Sequence, residues 1–407
     1  MPQGYKQTVI GIIPQEWEVK PVKDFGQVVT GNTPSTAEVS NYGDEYMFVS
    51  PADLSDDKKY IFRTEKMLSS KGYAVSRKMP KGAILYTCIG STIGKIGIAS
   101  CELTSNQQIN AVICDDNNEY LYYGLLFLTG RIKMLAGEQA VPIINKSDFE
   151  RIKLAVPPME EQRKIAEILG VWDEAIEKQS RLIEKLELRK RALMQRLLSG
   201  RTRLPGFTTP WQKIKLGEIC KRVTRRNEEN CQNVMTISAQ RGFVSQTDFF
   251  NKSVASSTLD NYYLVLNDEF CYNKSYSNGY PMGAIKRLKE TEKAVVTTLY
   301  ICFSIADCKR LDINFFEQYC EFGGLNRGLT KVANEGGRAH GLLNVTPSDF
   351  FGLQLLLPSL SEQKAIAEVL TAADNEIATH RKKLDALRQQ KRGLMQQLLT
   401  GKTRVKI

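Results

Sequence analysis

The clearest hydrophobic pattern in the chain is helical, and it occurs twice. Between Met159 and Ser199, alternating steps of four and three residues select ten positions, eight of them apolar, which is typical of a coiled-coil seam. Eight of the ten equivalent positions, 201 residues later, are also apolar, and the polar exceptions match: Gln179 and Lys190, then His380 and Lys391. The predicted apolar seam residues are Ile165, Leu169, Trp172, Ile176, Ile183, Leu186, Leu193, Leu197, Ile366, Leu370, Ala373, Ile377, Leu384, Leu387, Leu394 and Leu398.

The two patterned segments are copies of one sequence. Residues 147–203 align with residues 348–404 without a gap, and 24 of the 57 pairs are identical. Unrelated segments would match at roughly one position in fifteen. Prolines precede each predicted helix, and Gly200 and Gly401 follow, where a left-handed C-terminal cap is expected. About 40 residues at a rise of ~1.5 Å make each helix roughly 60 Å long.

Two helices with matching seams in one chain most simply pack on each other. We favour antiparallel packing, because parallel packing would require the intervening region to return over the full helix length. Antiparallel packing predicts that Gln179 lies close to His380 and that the regions between the helices occupy opposite ends of a rod. His380 is then a polar residue that specifies the seam rather than a catalyst.

The regions outside the repeats are predicted to be two mixed α/β domains with mostly β bodies, which gives an α+β fold class. Strand-like stretches occur at residues 83–86, 109–113 and 295–299, and short helical segments near residues 120–128 and 313–319. The predicted domain order is 1–147 (first mixed domain), 148–203 (first helix), 204–347 (second mixed domain) and 348–407 (second helix).

Composition indicates a soluble protein of two or three domains with a polyanionic partner. The 407 residues carry 56 basic and 45 acidic side chains, a net charge of +11, which favours nucleic acid, although many proteins are mildly basic for no such reason. Nine cysteines without a C-x-x-C pair argue against disulfides and a zinc ribbon, and no metal site is expected. The absence of a signal pattern or long apolar run predicts a cytoplasmic location without membrane contact.

Catalysis finds little support in the sequence. With only His340 and His380, histidine-based triads and histidine-rich metal sites are nearly excluded. The segment from Gly90 to Ile96 resembles a phosphate-binding loop, but it is one residue short between its glycines and lacks the Ser/Thr that would hold Mg²⁺. The chain is therefore predicted to be a binding protein with no catalytic residue and no cofactor of its own.

The candidate DNA-contact residues lie in loops that mix basic, amide, hydroxyl and aromatic groups, because amides and arginines read base edges and cations hold phosphates. Each loop taken alone could equally be an ordinary solvated one. The candidates in the first mixed domain are Thr33, Ser35, Tyr86, Ser91, Thr92, Lys95, Asn106, Gln107 and Gln108. Those in the second are Lys221, Arg222, Arg225, Arg226, Gln240, Arg241, Tyr272, Asn273, Lys274, Tyr276, Arg327, Arg338 and His340.

Several of these segments resemble the specificity (S) subunit of type I restriction-modification enzymes. The pattern Pro-Pro-x-x-Glu-Gln-x-x-Ile-Ala-x-x-Leu from Pro157 to Leu169, repeated less completely from Pro358, is similar to that family's helical spacer. The ending Leu-Met-Gln-x-Leu-Leu-x-Gly, the opening Ile-Ile-Pro with Trp17, and the stretch from Thr30 to Ser35 also match. The resemblance covers essentially the whole chain, although the second domain has no Gly-x-Thr-Pro loop after Trp211.

The resemblance implies two target recognition domains that each bind one half of a split double-stranded DNA site, with the antiparallel helices setting the unread gap. It also implies that two methyltransferase subunits dock on the assembly and carry S-adenosylmethionine, and that restriction (motor-nuclease) subunits complete the enzyme. The chain itself would hold no active site. Two rival classes stay open on the residues alone: a scaffold whose helices bind only proteins, and an enzyme such as a nuclease within one of the mixed domains.

Overall fold

The computed structural model describes residues 3–55, 58–114, 116–137, 141–246, 259–335 and 343–406. The chain divides into two compact units. Unit 1 comprises Met1–Ile183 together with His380–Ile407, and unit 2 comprises Glu184–Thr379. Each unit therefore holds one mixed α/β body and a part of each long helix. Within the described residues, no helix is both long enough and apolar enough to cross a membrane.

Unit 1 is built on two five-stranded sheets. The first has the order Gly26–Thr30, Ile109–Cys114, Ile84–Thr87, Ile96–Ala99, Tyr60–Ile61, and the second has the order Tyr42–Gly43, Lys66–Leu68, Tyr46–Val49, Leu103–Ser105, Lys78–Met79. Two further strand pairs are Tyr5–Thr8 with Gly11–Pro14 and Glu18–Pro21 with Lys153–Val156. The shorter helices are Ser70–Ala74, Asn118–Leu135 and Lys146–Glu150, with 3₁₀ turns at Val22–Asp24 and Val39–Asn41.

Unit 2 is built on a four-stranded antiparallel sheet of order Cys220–Val223, Ile301–Ile305, Phe270–Asn273, Ala284–Arg287. Four strand pairs surround it: Gln212–Lys215 with Gln354–Leu357, Met235–Ser238 with Gly242–Ser245, Tyr263–Leu266 with Lys293–Val296, and Asn334–Glu335 with Leu343–Asn344. Its helices are Leu216–Ile219, Ile313–Glu321, Asn326–Val332 and Pro347–Phe351.

The first sheet of unit 1 and the four-stranded sheet of unit 2 share the order of four strands, which the sequence did not reveal. In each, an edge strand pairs with the last strand of the sheet in chain order, which pairs with the central hairpin. Tyr86 and Tyr272 occupy corresponding central positions, and both side chains are completely buried. The predicted strands and short helices are present, except that the strand Lys293–Val296 ends before Thr297 and the helix Asn118–Leu135 is longer than expected.

The two repeats form long helices, Met159–Leu197 and Leu360–Leu399. Each ends as predicted at a left-handed glycine, Gly200 or Gly401, both with φ 70°. Of the sixteen apolar seam residues, twelve are buried, while Trp172, Leu193, Leu387 and Leu394 are half-buried. The apolar pattern in the sequence thus falls on the packed face of both helices.

The long helices run antiparallel within each unit. In unit 1, Glu161 contacts Arg404 near one end of the helix pair, whereas Asp173, further along, contacts Lys391. In unit 2, Lys190 pairs with Asp374 at 2.6 Å. The predicted approach of the two polar seam residues is confirmed, because Gln179 Nε2 lies 2.8 Å from His380 Nδ1 and also donates to the His380 carbonyl.

In each unit, a buried carboxylate at the start of a long helix accepts hydrogen bonds from an arginine and a tryptophan. Glu161 has no exposed surface, and it accepts hydrogen bonds from Arg404 Nε at 2.7 Å and Nη2 at 2.9 Å and from the Trp17 indole at 3.0 Å. We call this group clasp 1. Clasp 2, the equivalent group of unit 2, consists of Glu362, Arg203 and Trp211.

The second polar residue of each seam, Lys190 or Lys391, also has an acidic partner. Lys391 is buried against Asp173, and the Tyr123 hydroxyl donates to the same carboxylate. In unit 2, Asp374 accepts from Lys190 and from Gln318 Nε2 at 2.7 Å. Each aspartate thus ties a side chain of the mixed α/β body to both long helices.

Candidate nucleic-acid interface

Three loops of unit 1 meet at one end of its sheets, and we call them loop cluster 1: residues 31–35, 88–95 and 105–108. The Asn32 backbone N–H donates to the Ser105 carbonyl at 3.0 Å, and the Cys88 N–H donates to the Gln108 carbonyl at 2.8 Å. The Thr33 hydroxyl donates to Gln107 Oε1. These bonds join three segments that are distant in sequence into one polar surface.

Within loop cluster 1, Gly31 lies closest to the backbone of a neighbouring segment. A Cβ atom at this position would overlap the carbonyl oxygens of Ser105 and Asn106. We expect Gly31→Ala to lower the free energy of unfolding by about 1–3 kcal/mol, because the loop must move to relieve the overlap. Chemical denaturation measures the change.

Gly130→Ala is the matched control for the Gly31 substitution. Gly130 lies in the helix Asn118–Leu135, and nothing lies within 4 Å of the added Cβ. Alanine there should stabilise unit 1 by about 0.5–1 kcal/mol, because it lowers the entropy that a helical glycine loses on folding. Equal effects of the two substitutions would contradict the close approach at Gly31.

Most of the candidates predicted in the first domain fall in loop cluster 1. Thr33, Ser35, Ser91 and Gln107 are exposed, and Thr92, Lys95, Asn106 and Gln108 are half-buried. Lys95 Nζ donates to the Pro51 carbonyl at 3.0 Å, which holds its loop near the end of the strand Tyr46–Val49. The structure thus brings together a cation, hydroxyls and carboxamides, the groups that meet phosphates and base edges.

Tyr86 and Tyr272 must be removed from the candidates. Both are fully buried in the cores of their units, and burial raises the pKa of each phenol. The Tyr86 hydroxyl lies 3.4 Å from Thr129 Oγ1, and the Tyr272 hydroxyl donates to the Met282 carbonyl at 2.8 Å. A side chain without exposed surface cannot meet DNA, so the prediction for these two residues is wrong.

A corresponding group of loops in unit 2, loop cluster 2, comprises residues 236–241, 273–283 and 297–300. Asn273 Nδ2 donates to the Ile237 carbonyl at 3.2 Å, the Thr236 and Tyr300 hydroxyls are 3.0 Å apart, and Gln240 Nε2 donates to the Asn278 carbonyl at 3.1 Å. The loops line an open hollow of about 350 Å³. Its polar lining includes Thr236, Ser238, Gln240, Asn273, Ser275, Ser277 and Tyr300.

The candidates on these loops differ in exposure. Gln240, Arg241 and Tyr276 are exposed, whereas Asn273 and Lys274 are half-buried, and burial lowers the pKa of the Lys274 ammonium. Asn273 Oδ1 accepts from the Ser275 backbone N–H at 3.0 Å while its nitrogen holds Ile237. Both ends of this carboxamide are therefore used inside the protein, which leaves Gln240 as the better candidate for a base contact.

The basic run of unit 2 is only partly available to a ligand. Lys221 and Arg222 are exposed on the edge strand Cys220–Val223. Arg225 instead forms a bidentate ion pair with Glu269, with nitrogen–oxygen distances of 3.1 and 3.2 Å. The guanidinium carbon of Arg226 lies 5.1 Å from the centre of the Tyr263 ring. These two arginines are expected to support the fold.

Three predicted candidates lie away from both loop clusters or cannot be placed. Arg327 is exposed on the helix Asn326–Val332. Arg338 and His340 fall outside the described residues. The described ranges contain no group of three or more His, Cys, Asp or Glu side chains that could hold a metal ion.

One surface cation that the sequence reasoning passed over lies beside loop cluster 1. Arg77 is exposed, and its backbone N–H donates to Asn32 Oδ1 at 2.7 Å. The adjacent Arg77 and Lys78 form a basic pair much like Lys221 and Arg222. That pair is a signal that could have identified Arg77.

Residues 14–188 match the family described as the type I restriction modification DNA specificity domain. This match covers less than half of the chain, and it shows that the chain is similar to the type I restriction-modification specificity subunits. The resemblance noted in the sequence is confirmed, and so is the predicted α+β class. The similarity to specificity subunits agrees with the prediction of a binding protein.

The relatives of this chain align with all or part of its length. The type I restriction enzyme MjaVIII specificity subunit of Methanocaldococcus jannaschii is 24% identical over 434 residues, which cover 97% of this chain and 94% of the relative. The MjaIX specificity subunit of the same organism is 37% identical over 196 residues, 45% of either chain. The HindI specificity subunit of Haemophilus influenzae is 33% identical over 46% of this chain and 42% of its own length. The last two alignments thus cover less than half of each relative.

Two solved structures share the fold of this chain. The type I S subunit from M. genitalium aligns with a TM-score of 0.55 and 17% identity, over 94% of this chain and 96% of that chain. A chain from a study of the assembly and conformational transition of a type I system aligns with a TM-score of 0.55 and 14% identity, over 96% and 99%. At these identities the likeness concerns the fold alone.

Proposed function

We propose that this chain is a specificity subunit that reads a bipartite site in double-stranded DNA, with loop cluster 1 reading one half and loop cluster 2 the other. The observation that supports this proposal most is the shared architecture of the two clusters. Each lies at the end of a sheet in which four strands follow the same order, and each combines hydroxyls and carboxamides on joined loops. Two similar reading surfaces in one chain suit a site with two halves.

The chemistry of the loops suits readout of base edges. Gln107 and Gln240 are exposed carboxamides held at one atom, Gln107 by Thr33 and Gln240 by the Asn278 carbonyl. A glutamine can bond adenine N6 and N7 together, and Lys95, Lys221 and Arg222 can contact phosphates. The net charge of +11 would make the affinity fall as salt concentration rises.

We further propose that the mixed domains 1–147 and 204–347 are the target recognition domains, and that segments 148–203 and 348–407 form the spacer. The spacer would set the unread gap and dock two methyltransferase subunits. These subunits would supply S-adenosylmethionine, and restriction subunits would complete the enzyme, so the chain itself needs no cofactor. Because its target is genomic DNA, we place the complex in the cytoplasm.

Methylation mapping of the assembled methyltransferase complex tests this function. We expect a two-part methylated motif that depends on this chain. Gln107→Ala should relax one half of the motif and Gln240→Ala the other, each by roughly 5- to 150-fold in discrimination, the value of one bidentate contact. Exposed Lys81→Ala and Lys309→Ala, one in each unit and outside both loop clusters, serve as controls.

Other results would indicate one of the rival classes or contradict the proposal. A motif that stays the same without this chain would indicate a scaffold that binds only proteins. Cleavage of DNA by the isolated chain in the presence of a divalent metal would indicate a nuclease. Relaxation of the same half by both glutamine variants would contradict the assignment of one half-site to each cluster.

A further inference from the structure

We propose, building on the DNA-reading function above, that Arg77 reads a guanine in the half-site contacted by loop cluster 1. Arg77 follows the short helix Ser70–Ala74 and reaches the cluster through Asn32. The Arg77 backbone N–H donates to Asn32 Oδ1 at 2.7 Å, and Asn32 Nδ2 donates to the Val75 carbonyl at 3.0 Å. One asparagine side chain thus fastens the Arg77 segment to the loop of residues 31–35.

The guanidinium of Arg77 is fixed at one end. Its Nη1 donates to the Thr30 carbonyl at 2.8 Å, immediately before the close-packed Gly31. Within the described ranges no carboxylate pairs with it, whereas Arg225 and Arg287 are each held by acidic side chains. A guanidinium carries five N–H donors, so most of those on Arg77 remain available to a ligand.

Guanine is the base whose edge suits this arrangement. In the major groove it presents O6 and N7, two acceptors side by side, and the parallel N–H groups of an arginine bond both. Because the Thr30 carbonyl already holds the guanidinium and Asn32 holds the Arg77 backbone, less conformational freedom is lost when the contact forms. A phosphate contact would require the positive charge but not the paired donors.

Lysine and methionine substitutions distinguish these two kinds of contact. We expect Arg77→Lys and Arg77→Met, each assembled with the methyltransferase subunits, to relax one guanine position of one half-site. The expected loss of discrimination is roughly 5- to 150-fold for Arg77→Met, which has no donor left. It is smaller for Arg77→Lys, because an ammonium can still donate to O6 and N7 but lacks the planar pair of N–H groups. Methylation mapping and binding to oligonucleotides with each base at that position measure it.

Arg131→Ala is the matched control, since Arg131 is an exposed arginine of unit 1 on the helix Asn118–Leu135. It should leave the motif unchanged. A phosphate contact would instead give Arg77→Met an equal loss of DNA affinity for all sequences and a salt dependence of binding reduced by about one phosphate. Arg77→Lys would then keep the affinity. These results would overturn the proposal. An unchanged motif in both Arg77 variants would also overturn it.

The failure of this inference can be told apart from a failure of the proposed function. If the unaltered complex shows a chain-dependent motif that Gln107→Ala relaxes but Arg77 variants do not, only the role of Arg77 is refuted. If the unaltered complex shows no chain-dependent motif, the DNA-reading function is refuted, and the role of Arg77 with it. Thermal melting of each variant verifies that unit 1 is folded in either case.

Discussion

Arg404→Met is expected to destabilise unit 1 strongly, although the residue is the fourth from the end of the sequence. The substitution leaves the fully buried Glu161 carboxylate with the Trp17 indole as its remaining partner in clasp 1. Removing one partner of a buried ion pair costs about 3–5 kcal/mol. Because the Arg404 side chain is 37% exposed, we expect a smaller loss of about 2–4 kcal/mol in the free energy of unfolding. Hydrogen exchange of the peptide around Trp17 measures it locally.

The double variant Glu161→Gln, Arg404→Met should recover much of that loss. A neutral carboxamide can still accept from the indole, and no buried charge is left without its cation. Arg203→Met provides the matched comparison, because it removes the same partner from clasp 2. Its loss of exchange protection should centre on Trp211 in unit 2. Protection lost at Trp17 in both single variants would contradict the separate roles of the two clasps.

Lengthening both long helices together is expected to widen the unread gap of the DNA site. Seven residues inserted after Ile183 and seven after Thr379 enter both helices where the two units divide. Seven residues keep the seam on the same face. They add about 10 Å of helix, which corresponds to about 3 base pairs at ~3.4 Å each. Methylation mapping should show unchanged half-sites with a longer gap.

A seven-residue insertion in one helix alone is the control for this prediction. The shared seam would then be mismatched, so the variant should lose stability and methylation activity instead of gaining a longer gap. An unchanged gap in the double insertion would show that the helix pair does not set the spacing. Altered half-sites with an unchanged gap would contradict the separation of reading and spacing.

The helical part of the fold followed from the sequence because its signals are local. The four-three spacing of apolar residues, the prolines before each helix, and Gly200 and Gly401 after them all lie within the segment they describe. The close pair of Gln179 and His380 followed from the same spacing. Apart from that pair, which also required the second copy and antiparallel packing, no partner elsewhere in the chain was needed to predict these features.

The clasps and the two buried tyrosines depend on contacts that the sequence does not display. Glu161 and Arg404 are 243 residues apart, and although both belong to repeated pairs of identical residues, nothing in the sequence joins them. Tyr86 lies on a strand with apolar neighbours on both faces, so alternation could not distinguish a core tyrosine from a surface one. The joining of loops 31–35 and 105–108 also arises only when the sheet forms.

Residues 380–407 complete the core of unit 1, and this affects the order in which the two units can fold. Met395, Leu398 and Leu399 belong to the same apolar core as Ile13 and Trp17. The ribosome synthesises Ile13 and Trp17 long before Met395, Leu398 and Leu399, so the core of unit 1 stays incomplete until those later residues have been made. Unit 2 is a single continuous stretch, Glu184–Thr379, and all of it emerges earlier. Unit 1, whose synthesis begins first, is therefore the unit that completes its fold last.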